Sequence, residues 1–333
     1  MAPTYRRVQY DRSNGFGIPY YDIRVINPPI LNTNVFTLDK TPTFFVKNNR
    51  NEYENISNLT GASYNIKYTN GKYLMGIDLD GLYYSEDGEN WTKNTSIESL
   101  WSGTTKEVYE ISDNGLDVGL VCGSFNTFII KSSDGGITFD EKVNNIGGRN
   151  LIYGDKWITI SNFSGRLYDI SYSYDAINWS SSTITFNNTT PTDIQPQDLY
   201  YDGSYYYACG IIGNDPAFDW YILKSSDGIN WSDDISTSSY TFNYMTSYDG
   251  IYLFIDNSVM YYSDDNFSTF NQITSPSGGV YKIHHTDKWY AVGSQLVWSS
   301  VDGINWDDET PNFISTGTRI TDFDSKYNPK GNS

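Results

Sequence analysis

Short runs of β-branched and aromatic residues alternate with polar turn sequences along most of the chain. The run Tyr221 to Leu223, for example, precedes Lys224 to Trp231, which reads KSSDGINW. Asp-Gly favours a hairpin because glycine adopts positive φ, and the Asp carboxylate can accept hydrogen bonds from backbone N–H groups of its own turn. The aromatic residue that follows begins the next strand and packs inward. The pattern therefore predicts antiparallel strands joined by what we call an aspartate turn.

The aspartate turn recurs at intervals of about 40 residues, which suits a four-stranded propeller blade. The six clear copies are Ser85–Trp91, Ser132–Phe139, Ser173–Trp179, Lys224–Trp231, Ser263–Phe270 and Ser300–Trp306. A seventh, decayed copy lies at 44–53, where Asn48 stands at the aspartate position and Tyr53 at the aromatic position. We therefore predict seven blades.

A second kind of turn lies about 15 to 25 residues before most of the aspartate turns. Its copies are Tyr68–Tyr73, Tyr153–Trp157, Tyr201–Tyr205, Tyr248–Tyr252 and His285–Trp289. We interpret it as the turn between the first and second strands of a blade, and the aspartate turn as the one between the third and fourth. The two turns then lie on the same face of a propeller, and the remaining connections lie on the other face.

The two ends of the chain each supply part of one blade. The segment Thr318 to Phe323 reads as a strand with no aspartate turn after it, whereas the decayed copy has no turn of the second kind before it. We predict that residues 317–327 pair with residues 34–57, because closing the ring removes exposed sheet edges. The predicted fold is an all-β, seven-bladed β-propeller at residues 34–333, with the last blade shared by both chain ends.

The aspartate turns resemble the Asp box of sialidase-like (BNR) β-propellers, Ser-x-Asp-x-Gly-x-Thr-Trp. The full spacing is matched, with Phe in place of Trp, by Ser132, Asp134, Gly136, Thr138 and Phe139. In that family the boxes lie on the outer rim, so the resemblance implies a fold and no binding site. A sialidase of the family would also have three arginines around its substrate and a Phe/Tyr-Arg-Ile-Pro stretch. Residues Phe16 to Pro19 have glycine at that arginine position, which argues against sialidase activity.

Residues 1–33 do not fit the repeat. They hold four of the eight arginines of a chain whose formal net charge is −18, namely Arg6, Arg7, Arg12 and Arg24. A basic segment on an acidic protein can dock on a neighbouring acidic surface. We therefore predict an extended N-terminal arm at residues 1–33 that anchors the propeller to a partner. The alternative is a loosely ordered tail.

A candidate ligand site lies in the connection at 211–220, which reads IIGNDPAFDW and is longer than its counterparts in other blades. Length variation on one face of a propeller marks a candidate binding face. Aromatic rings beside amides and carboxylates suit a sugar, which needs an apolar surface and hydroxyl partners. The predicted ligand-binding residues are Asn214, Asp215, Phe218, Asp219 and Trp220. The alternative is that Phe218 and Trp220 only cap the sheet.

Charge and composition argue against several classes of function. The net charge of −18 and the pI of about 4.3 argue against a nucleic-acid partner, which needs Lys and Arg. We find no apolar run long enough to span a membrane and no apolar segment typical of a signal peptide near the N-terminus. Cys122 and Cys209 are expected to be buried and unpaired.

No residue pattern indicates catalysis, a metal or a cofactor, and we predict none of the three. His284 and His285 are adjacent on a predicted strand, so they face opposite sides and cannot chelate one metal together. The acidic turns lack the dense spacing of a calcium loop. A pair of carboxylates that acts on a glycosidic bond stays open, because an acidic chain contains many candidate pairs.

The preferred functional hypothesis is a non-enzymatic structural or binding protein of a virion, made in the host cytoplasm. Its richness in Tyr, Ser and Asn resembles bacteriophage tail and capsid appendages. The propeller would present a face to a host glycan or to other virion proteins, and the arm would anchor it in an oligomeric assembly. One alternative is a glycoside hydrolase with two carboxylates roughly 5 to 10 Å apart. Another is a cellular assembly factor, similar to Asp-box propellers that act as photosystem chaperones.

Overall fold

The structure is a computed structural model. It describes residues 63–101, 106–123, 127–144, 146, 148, 150–164, 167–186, 193–214, 217–236, 240–274, 279–294 and 296–310. It also describes the backbone of six short strands at 5–7, 24–26, 34–38, 44–47, 53–56 and 320–325.

The described elements are β-strands and one short 3₁₀ helix. The first group of strands is β1 (Tyr5–Arg7), β2 (Arg24–Ile26), β3 (Asn34–Leu38), β4 (Phe44–Lys47), β5 (Tyr53–Ile56), β6 (Ser63–Thr69), β7 (Lys72–Ile77), β8 (Gly81–Ser85), β9 (Thr92–Lys93), β10 (Val108–Asp113), β11 (Val118–Cys122), β12 (Phe128–Ser132) and β13 (Glu141–Asn144). The second group is β14 (Leu151–Tyr153), β15 (Trp157–Ser164), β16 (Leu167–Ser173), β17 (Ser180–Ser181), β18 (Thr183–Thr185), β19 (Asp193–Tyr201), β20 (Tyr206–Asn214), β21 (Ala217–Ser225) and β22 (Asn230–Ser236). The third group is β23 (Phe242–Tyr248), β24 (Ile251–Asp256), β25 (Val259–Ser263), β26 (Asn271–Gln272), β27 (Val280–His285), β28 (Trp289–Gly293), β29 (Leu296–Ser300), β30 (Asp307–Asp308) and β31 (Ile320–Ser325). The 3₁₀ helix spans Ser96–Leu100, and no helix in the described part of the chain is long and apolar enough to cross a bilayer.

In the described part of the chain, six sheets surround a central channel. Sheet 1 contains β31, β3, β4 and β5 in that order, and sheets 2 and 3 contain β6–β9 and β10–β13. Sheet 4 contains β14–β22, sheet 5 contains β23–β26 and sheet 6 contains β27–β30. The channel wall comes from the opening strands of these units, β6, β10, β14, β19, β23 and β27. The chain is therefore an all-β propeller, and β1 and β2 form a separate two-stranded sheet.

The predicted number of seven blades is wrong, because the structure has six propeller sheets. Sheet 4 has nine strands and joins two antiparallel units, β14–β17 and β19–β22. Leu167 of β16 pairs in parallel with Ile194 of β19, and β18 pairs in parallel with β22. The strands β19, β20 and β21 have nine residues each, so β19 extends far enough to meet the edge of β16. The sequence repeat gives the number of antiparallel units and not the number of sheets. Two of these units, β14–β17 and β19–β22, form one sheet because their edge strands pair by hydrogen bonds.

The predicted closure of the ring by both chain ends is confirmed. The C-terminal strand β31 pairs antiparallel with β3, with Phe36 opposite Phe323 and Asn34 opposite Ser325. The strand order of sheet 1 makes β31 its first strand, and β31 packs against the first strands of both neighbouring sheets, β6 and β27. Sheet 1 therefore exists only because two segments from opposite chain ends complete each other.

Both predicted kinds of turn are confirmed. The turns of the second kind connect the first and second strands of a unit, as β6–β7, β14–β15, β19–β20, β23–β24 and β27–β28. The six clear aspartate turns connect the third and fourth strands, as β8–β9, β12–β13, β16–β17, β21–β22, β25–β26 and β29–β30. Both kinds lie at the same end of the sheets, which we call the turn face.

The aspartate turn is held by one carboxylate. Asp302 accepts hydrogen bonds from the backbone N–H groups of Ile304 and Asn305 at 2.9 and 2.8 Å, and from the Ser300 hydroxyl at 2.9 Å. These donors, the Asn305 backbone first, lower the pKa of Asp302. Trp306 donates its indole N–H to the carbonyl of Gly303 at 3.0 Å. The side chains of this short sequence thus satisfy the hydrogen-bonding groups of the turn's own backbone.

Positive φ explains the glycine of the aspartate turn. Gly303 has φ of +76° and Gly228 has φ of +65°. The two turns that lack glycine place other residues in the same region, Ala176 at +61° and Phe267 at +69°. Side chains other than glycine are strained there, so the rest of the turn holds these two residues in place.

The hydrophobic core lies between the sheets. Trp157, Trp231 and Trp289 are fully buried. Each lies just after a turn, at the beginning of β15, β22 and β28 respectively. Residues of sheets 2 and 3 share one cluster, and residues of sheets 5 and 6 share another. Cys122 and Cys209 are buried and free, as expected, and burial raises the pKa of both thiols. Face-to-face packing of sheets leaves the middle of the ring open.

We predict that Asp302→Ala lowers the free energy of unfolding by about 1–2 kcal/mol, because several charged hydrogen bonds are lost. Asp307→Ala, an exposed carboxylate of the same hairpin, is the matched control and should change it little. The folded-state pKa of Asp302 is lowered, so its stabilisation is present above the unfolded pKa near 4 and is lost as the pH falls through the folded value. Urea unfolding at pH 7 and pH 2.5 measures both effects, and equal effects of the two substitutions would contradict the turn's role.

We predict that a chain ending at residue 319 loses cooperative unfolding and associates, because β3 loses its β31 partner and exposes an edge. Removal of residues 326–333, which leaves β31 in place, is the matched control. Thermal unfolding and light scattering measure the outcome. A monomeric chain with an unchanged midpoint after the longer truncation would show that β31 does not close the ring.

Candidate functional site

The channel contains a cavity of about 370 Å³. Its wall is formed by the strands β6, β10, β14, β19, β23 and β27, and it reaches the turns after β19 and β23. Those turns belong to the turn face, so the cavity opens where Asp202, Gly203, Asp249 and Gly250 lie. A cavity of this size is in the range of small-molecule sites.

Aromatic side chains surround the mouth of this cavity. Tyr153, Tyr201, Tyr248 and His285 are each the last residue of their strand, and each is half-buried. We call these four residues the aromatic collar. Their position recurs because the turn of the second kind begins with Tyr or His in each of these units. Half-buried rings offer an apolar face to a ligand while their other face packs on the protein.

Packing against the next strand fixes the collar. The ring centroid of Tyr153 is 5.1 Å from that of Trp157, and the ring of Tyr201 is 4.4 Å from that of Tyr206. His285 lies 5.0 Å from Trp289 and stacks on Tyr248 with an interplanar angle of 7°. The collar rings are therefore held by buried aromatic residues that begin β15, β20 and β28.

Asp202 ties the mouth of the channel together. Its Oδ2 accepts hydrogen bonds from the hydroxyls of Tyr207 at 3.0 Å and Tyr252 at 2.9 Å, which belong to sheets 4 and 5. Its Oδ1 accepts from the backbone N–H groups of Ser204 and Tyr205. Burial is the main cause that raises the pKa of Tyr252 to about 12. This network holds two sheets at a fixed separation where the cavity opens.

Bulges in the first strands decide which side chains enter the channel. The pairing register shifts in β6, β10, β19, β23 and β27. The residues directly after these shifts are Asn65, Glu110, Asp198, Tyr244 and Lys282. Four of them line the cavity, and Asn65 donates its side-chain N–H to Oε1 of Glu110 at 2.9 Å. A bulge re-aims the side chain beside it, and here it does so toward the channel.

Asp198 is the most perturbed carboxyl of the channel wall. It is 7% exposed, and its Oδ1 accepts from the side-chain amide of Asn150 at 2.8 Å. Its Oδ2 accepts from the backbone N–H of Met245 at 3.0 Å. Burial raises the pKa of Asp198 to about 7, with the charge of Glu110 adding to the shift and the Met245 N–H opposing it. Asp198 thus links β19 to β23 and to Asn150, the residue directly before β14.

Basic side chains lie on the part of the wall that flanks sheet 1. Lys67 comes from β6, and Lys282 and His284 come from β27. Burial lowers the pKa of His284 to about 3, and the charges of Lys67 and Lys282 lower it further. His284 is therefore neutral at pH 7. His284 and His285 both contribute to the cavity wall, and among the described residues no group of three His, Cys, Asp or Glu could hold a metal ion.

The segment 211–220, predicted as a loop, is mostly paired in the structure. Ile211 pairs with Trp220, Ile212 with Asp219 and Gly213 with Phe218, so β20 and β21 continue through the segment. The predicted loop is wrong because the β-branched and aromatic residues extend the ladder. Asn214 ends β20, Asp215 lies outside the described residues, and Trp220 is half-buried. None of the described members of this predicted site lines the channel cavity, and its ligand-binding role stays a prediction.

The structure describes part of the predicted arm. Arg6 and Arg7 lie in β1 and Arg24 lies in β2, with Arg7 directly opposite Arg24 in the pairing. Arg12 lies outside the described residues. The docking role of the arm stays a prediction.

The sequence matches no protein-family model and no curated protein. Solved structures with the same fold include the GH74 xyloglucanase from Xanthomonas campestris, with a TM-score of 0.56 and 13% identity over 74% of this chain and 45% of that one. YCF48 bound to D1 peptide has a TM-score of 0.55 and 15% identity, over 76% of this chain and 83% of that one. The Pan2 WD40 domain of Neurospora crassa has a TM-score of 0.50 and 9% identity, over 86% and 91%. The chain spans less than half of the xyloglucanase, and these similarities establish the β-propeller fold.

Sequence reasoning missed the channel as a site. The signal was present in the turns of the second kind, whose leading Tyr or His forms the collar. The sequence pattern identifies those turns only as strand connections and predicts a candidate site on the opposite face. The polar residues of the wall carried no such signal, because their direction depends on the bulges.

We predict that Asp198→Asn makes the stability of the protein less dependent on pH. The folded-state pKa of Asp198 is raised, so the wild type binds a proton on folding between pH 4 and 7 and loses stability as the pH rises through 7. Relative to the variant, the free energy of unfolding of the wild type should fall by about 2 kcal/mol between pH 5 and pH 8. Asp249→Asn, at an exposed carboxylate of the same mouth, is the control in urea unfolding. If the free energy of unfolding depends on pH equally in the wild type and in Asp198→Asn, Asp198 does not have the raised pKa of a buried carboxyl.

Proposed function

We propose that this chain is a non-enzymatic binding protein that takes a saccharide at the mouth of its propeller channel. The observation that carries the proposal is the aromatic collar around a polar cavity. The rings of Tyr153, Tyr201 and Tyr248 suit the apolar faces of sugars, because aromatic surfaces stack on C–H groups. Below the collar, the oxygens of Asp198 and Glu110 and the amide of Asn150 suit hydroxyl groups.

The hydrogen bonding of the wall favours binding over catalysis. Both carboxyl oxygens of Asp198 accept from neighbouring strands, and Glu110 accepts from Asn65 and from the backbone N–H of Ile111 at 3.3 Å. Each carboxyl thus joins the inner strands of adjacent units. Because these carboxyl groups hold strands together, their presence in the channel wall has a structural explanation and does not require a catalytic role.

We further propose that the protein belongs to a virion, as a bacteriophage tail or capsid appendage made in the host cytoplasm. Its supports are the composition rich in Tyr, Ser and Asn and the arginines of residues 1–33. The propeller would carry the saccharide site, and the arm would dock on other virion proteins in an oligomeric assembly. The resemblance of the aspartate turns to the Asp box supports a common origin of this repeat and that of the Asp-box propellers.

A glycoside hydrolase is the second candidate, and one observation favours it. Asp198 has a pKa raised to about 7, and the charge of Glu110 contributes to that shift. A carboxyl that keeps its proton near neutral pH is suited to act as a general acid, with a second carboxylate nearby. A xyloglucanase shares the fold. An assembly factor, the remaining alternative, has YCF48 as a structural neighbour.

We predict that Tyr248→Ala weakens saccharide binding about tenfold, because one stacking ring is lost. Tyr174→Ala is the control, since Tyr174 is 68% exposed at an aspartate turn away from the cavity. Binding of the full chain to a panel of host-surface oligosaccharides is measured by calorimetry, and release of reducing ends is assayed in the same samples. Thermal unfolding shows that each variant is folded.

The outcomes separate the candidates. Binding that weakens in Tyr248→Ala and not in Tyr174→Ala, without release of reducing ends, is the expected result. Absence of saccharide binding, or equal binding of both variants and the wild type, would overturn the channel site. Hydrolysis that disappears in Asp198→Asn while binding remains would establish the glycoside hydrolase instead.

A further inference from the structure

Carboxyl groups outnumber ammonium groups in the channel wall. Among the described residues that line the cavity, the carboxyl groups are those of Glu110, Asp198, Asp202 and Asp249, and the ammonium groups are those of Lys67 and Lys282. Charges inside a cavity interact through a lower effective dielectric constant than charges in water, so this excess acts on a ligand there. The net charge of −18 adds a long-range attraction for cations. The wall therefore favours a ligand that carries positive charge.

Glu110 presents an open carboxyl oxygen at the half-buried wall of the cavity. Its Oε1 accepts hydrogen bonds from the side-chain amide of Asn65 at 2.9 Å and from the backbone N–H of Ile111 at 3.3 Å. Its Oε2 accepts no hydrogen bond from the described residues. A carboxylate has room for about four hydrogen bonds, so Glu110 can accept further donors from a ligand.

A second acceptor lies directly behind this carboxylate. Asn65 is 3% exposed, and its Nδ2 is turned to Glu110, whereas its Oδ1 has no hydrogen-bond partner in the described part of the chain. A buried oxygen without a donor has an unmet hydrogen-bonding capacity, and the negative end of its dipole is not compensated. This side of the wall therefore has acceptor oxygens and lacks a donor.

The mouth of the cavity places aromatic rings beside carboxylates. Tyr201 of the collar is followed by Asp202, and Tyr248 is followed by Asp249. Neither of these two carboxylates forms an ion pair with a described residue. Burial raises the pKa of Tyr201, and the charges of Asp155 and Asp202 raise it further. An ammonium group is attracted to a carboxylate and to the face of an aromatic ring, and the mouth offers both.

The turn face already holds lysine side chains in this way. The Nζ of Lys156 lies 2.7 Å from Oδ1 of Asp155 and 5.6 Å from the ring centroid of Tyr206. The Nζ of Lys224 lies 3.9 Å from the ring centroid of Tyr205. Both tyrosines lie where the β19–β20 turn ends, beside the mouth of the cavity. Rings and carboxylates of these turns thus form ammonium sites for side chains of the protein itself.

From these features we propose that the channel selects an amino sugar, whose protonated amine is held by Glu110 while its rings rest on Tyr153 and Tyr201 of the collar. The proposal rests on the proposed function and adds the class of ligand. Glu110 lies three residues before the end of β10, about 10 Å along the strand from the turn face. Asp249 lies at the mouth itself. An oligosaccharide with an amine on each unit can therefore place ammonium groups near both carboxylates.

The test compares three trisaccharides of the same linkage, made of glucosamine, N-acetylglucosamine or glucose, by calorimetry on the full chain at pH 6. Only the glucosamine trimer carries ammonium groups. We expect it to bind at least tenfold more tightly than the other two in 50 mM salt, with the preference reduced in 500 mM salt because salt screens charges. Trilysine, a cation without sugar rings, should bind more weakly than the glucosamine trimer.

The double variant Glu110→Gln/Asp249→Asn should bind the three trisaccharides equally, because two carboxyl groups then remain against two lysines in the lining. Glutamine keeps an oxygen that accepts from Asn65 and Ile111, and asparagine tolerates the φ of +52° at position 249. Asp140→Asn is the matched control and should keep the preference, since Asp140 is an exposed carboxylate of the same sheet as Glu110 and lies outside the cavity lining. Thermal unfolding reports the fold of each variant.

Each outcome has a separate meaning. Equal binding of the three trisaccharides by the wild type would overturn this inference and leave the proposed function standing. A preference that survives in Glu110→Gln/Asp249→Asn would overturn the assignment to these two carboxyl groups. Binding of trilysine as tight as that of the glucosamine trimer would overturn the amino sugar in favour of a basic peptide. Binding of none of the trisaccharides would overturn both the inference and the saccharide site on which it rests.

Discussion

The carboxylate of the aspartate turn is the interaction on which the ring depends. In the described units it accepts hydrogen bonds from its own turn. The tryptophans of four of these turns donate their indole N–H to the backbone carbonyl three residues earlier. The fourth strands β9, β17, β26 and β30 have only two residues each. So short a ladder could not position a strand alone. The charged turn reverses the chain and delivers the aromatic ring to the interface between sheets.

Packing of these sheets leaves a channel whose wall is unavoidably polar in part. The inner strands converge around the axis, and their backbone and side chains cannot all find apolar neighbours. Asp198 of β19, for example, accepts hydrogen bonds from Asn150, directly before β14, and from Met245 of β23. Tyr200 likewise donates its hydroxyl to the carbonyl of Ser247 at 2.7 Å. Bonds between inner strands therefore stabilise the ring and create the polar surface that a ligand would use.

Residues that stabilise the channel also line the cavity that we propose as a binding site. Asp198 stabilises the contact between β19 and β23, yet its burial carries a cost as its proton is lost. Asp202 fixes the mouth through two tyrosine hydroxyls and also lines the cavity. The collar rings depend on buried aromatic residues behind them. A ligand at this site would meet a preformed surface, which lowers the cost of ordering on binding.

The local sequence determined the strands and turns of this fold, and the tertiary structure decided how the strands join into sheets and where the candidate site lies. Within the seven residues from Ser300 to Trp306, the side chains satisfy the hydrogen-bonding groups of their own turn. The pattern can therefore be recognised in the sequence without any partner strand. The pairing of β31 with β3 could also be predicted from the sequence. The C-terminal strand has no aspartate turn after it, and the N-terminal copy of that turn has no turn of the second kind before it. The merger within sheet 4 could not be predicted, since it requires the edges of β16 and β19 to meet. The direction of Glu110, Asp198 and Lys282 was equally hidden, because bulges rotate them toward an axis that exists only when the ring is closed.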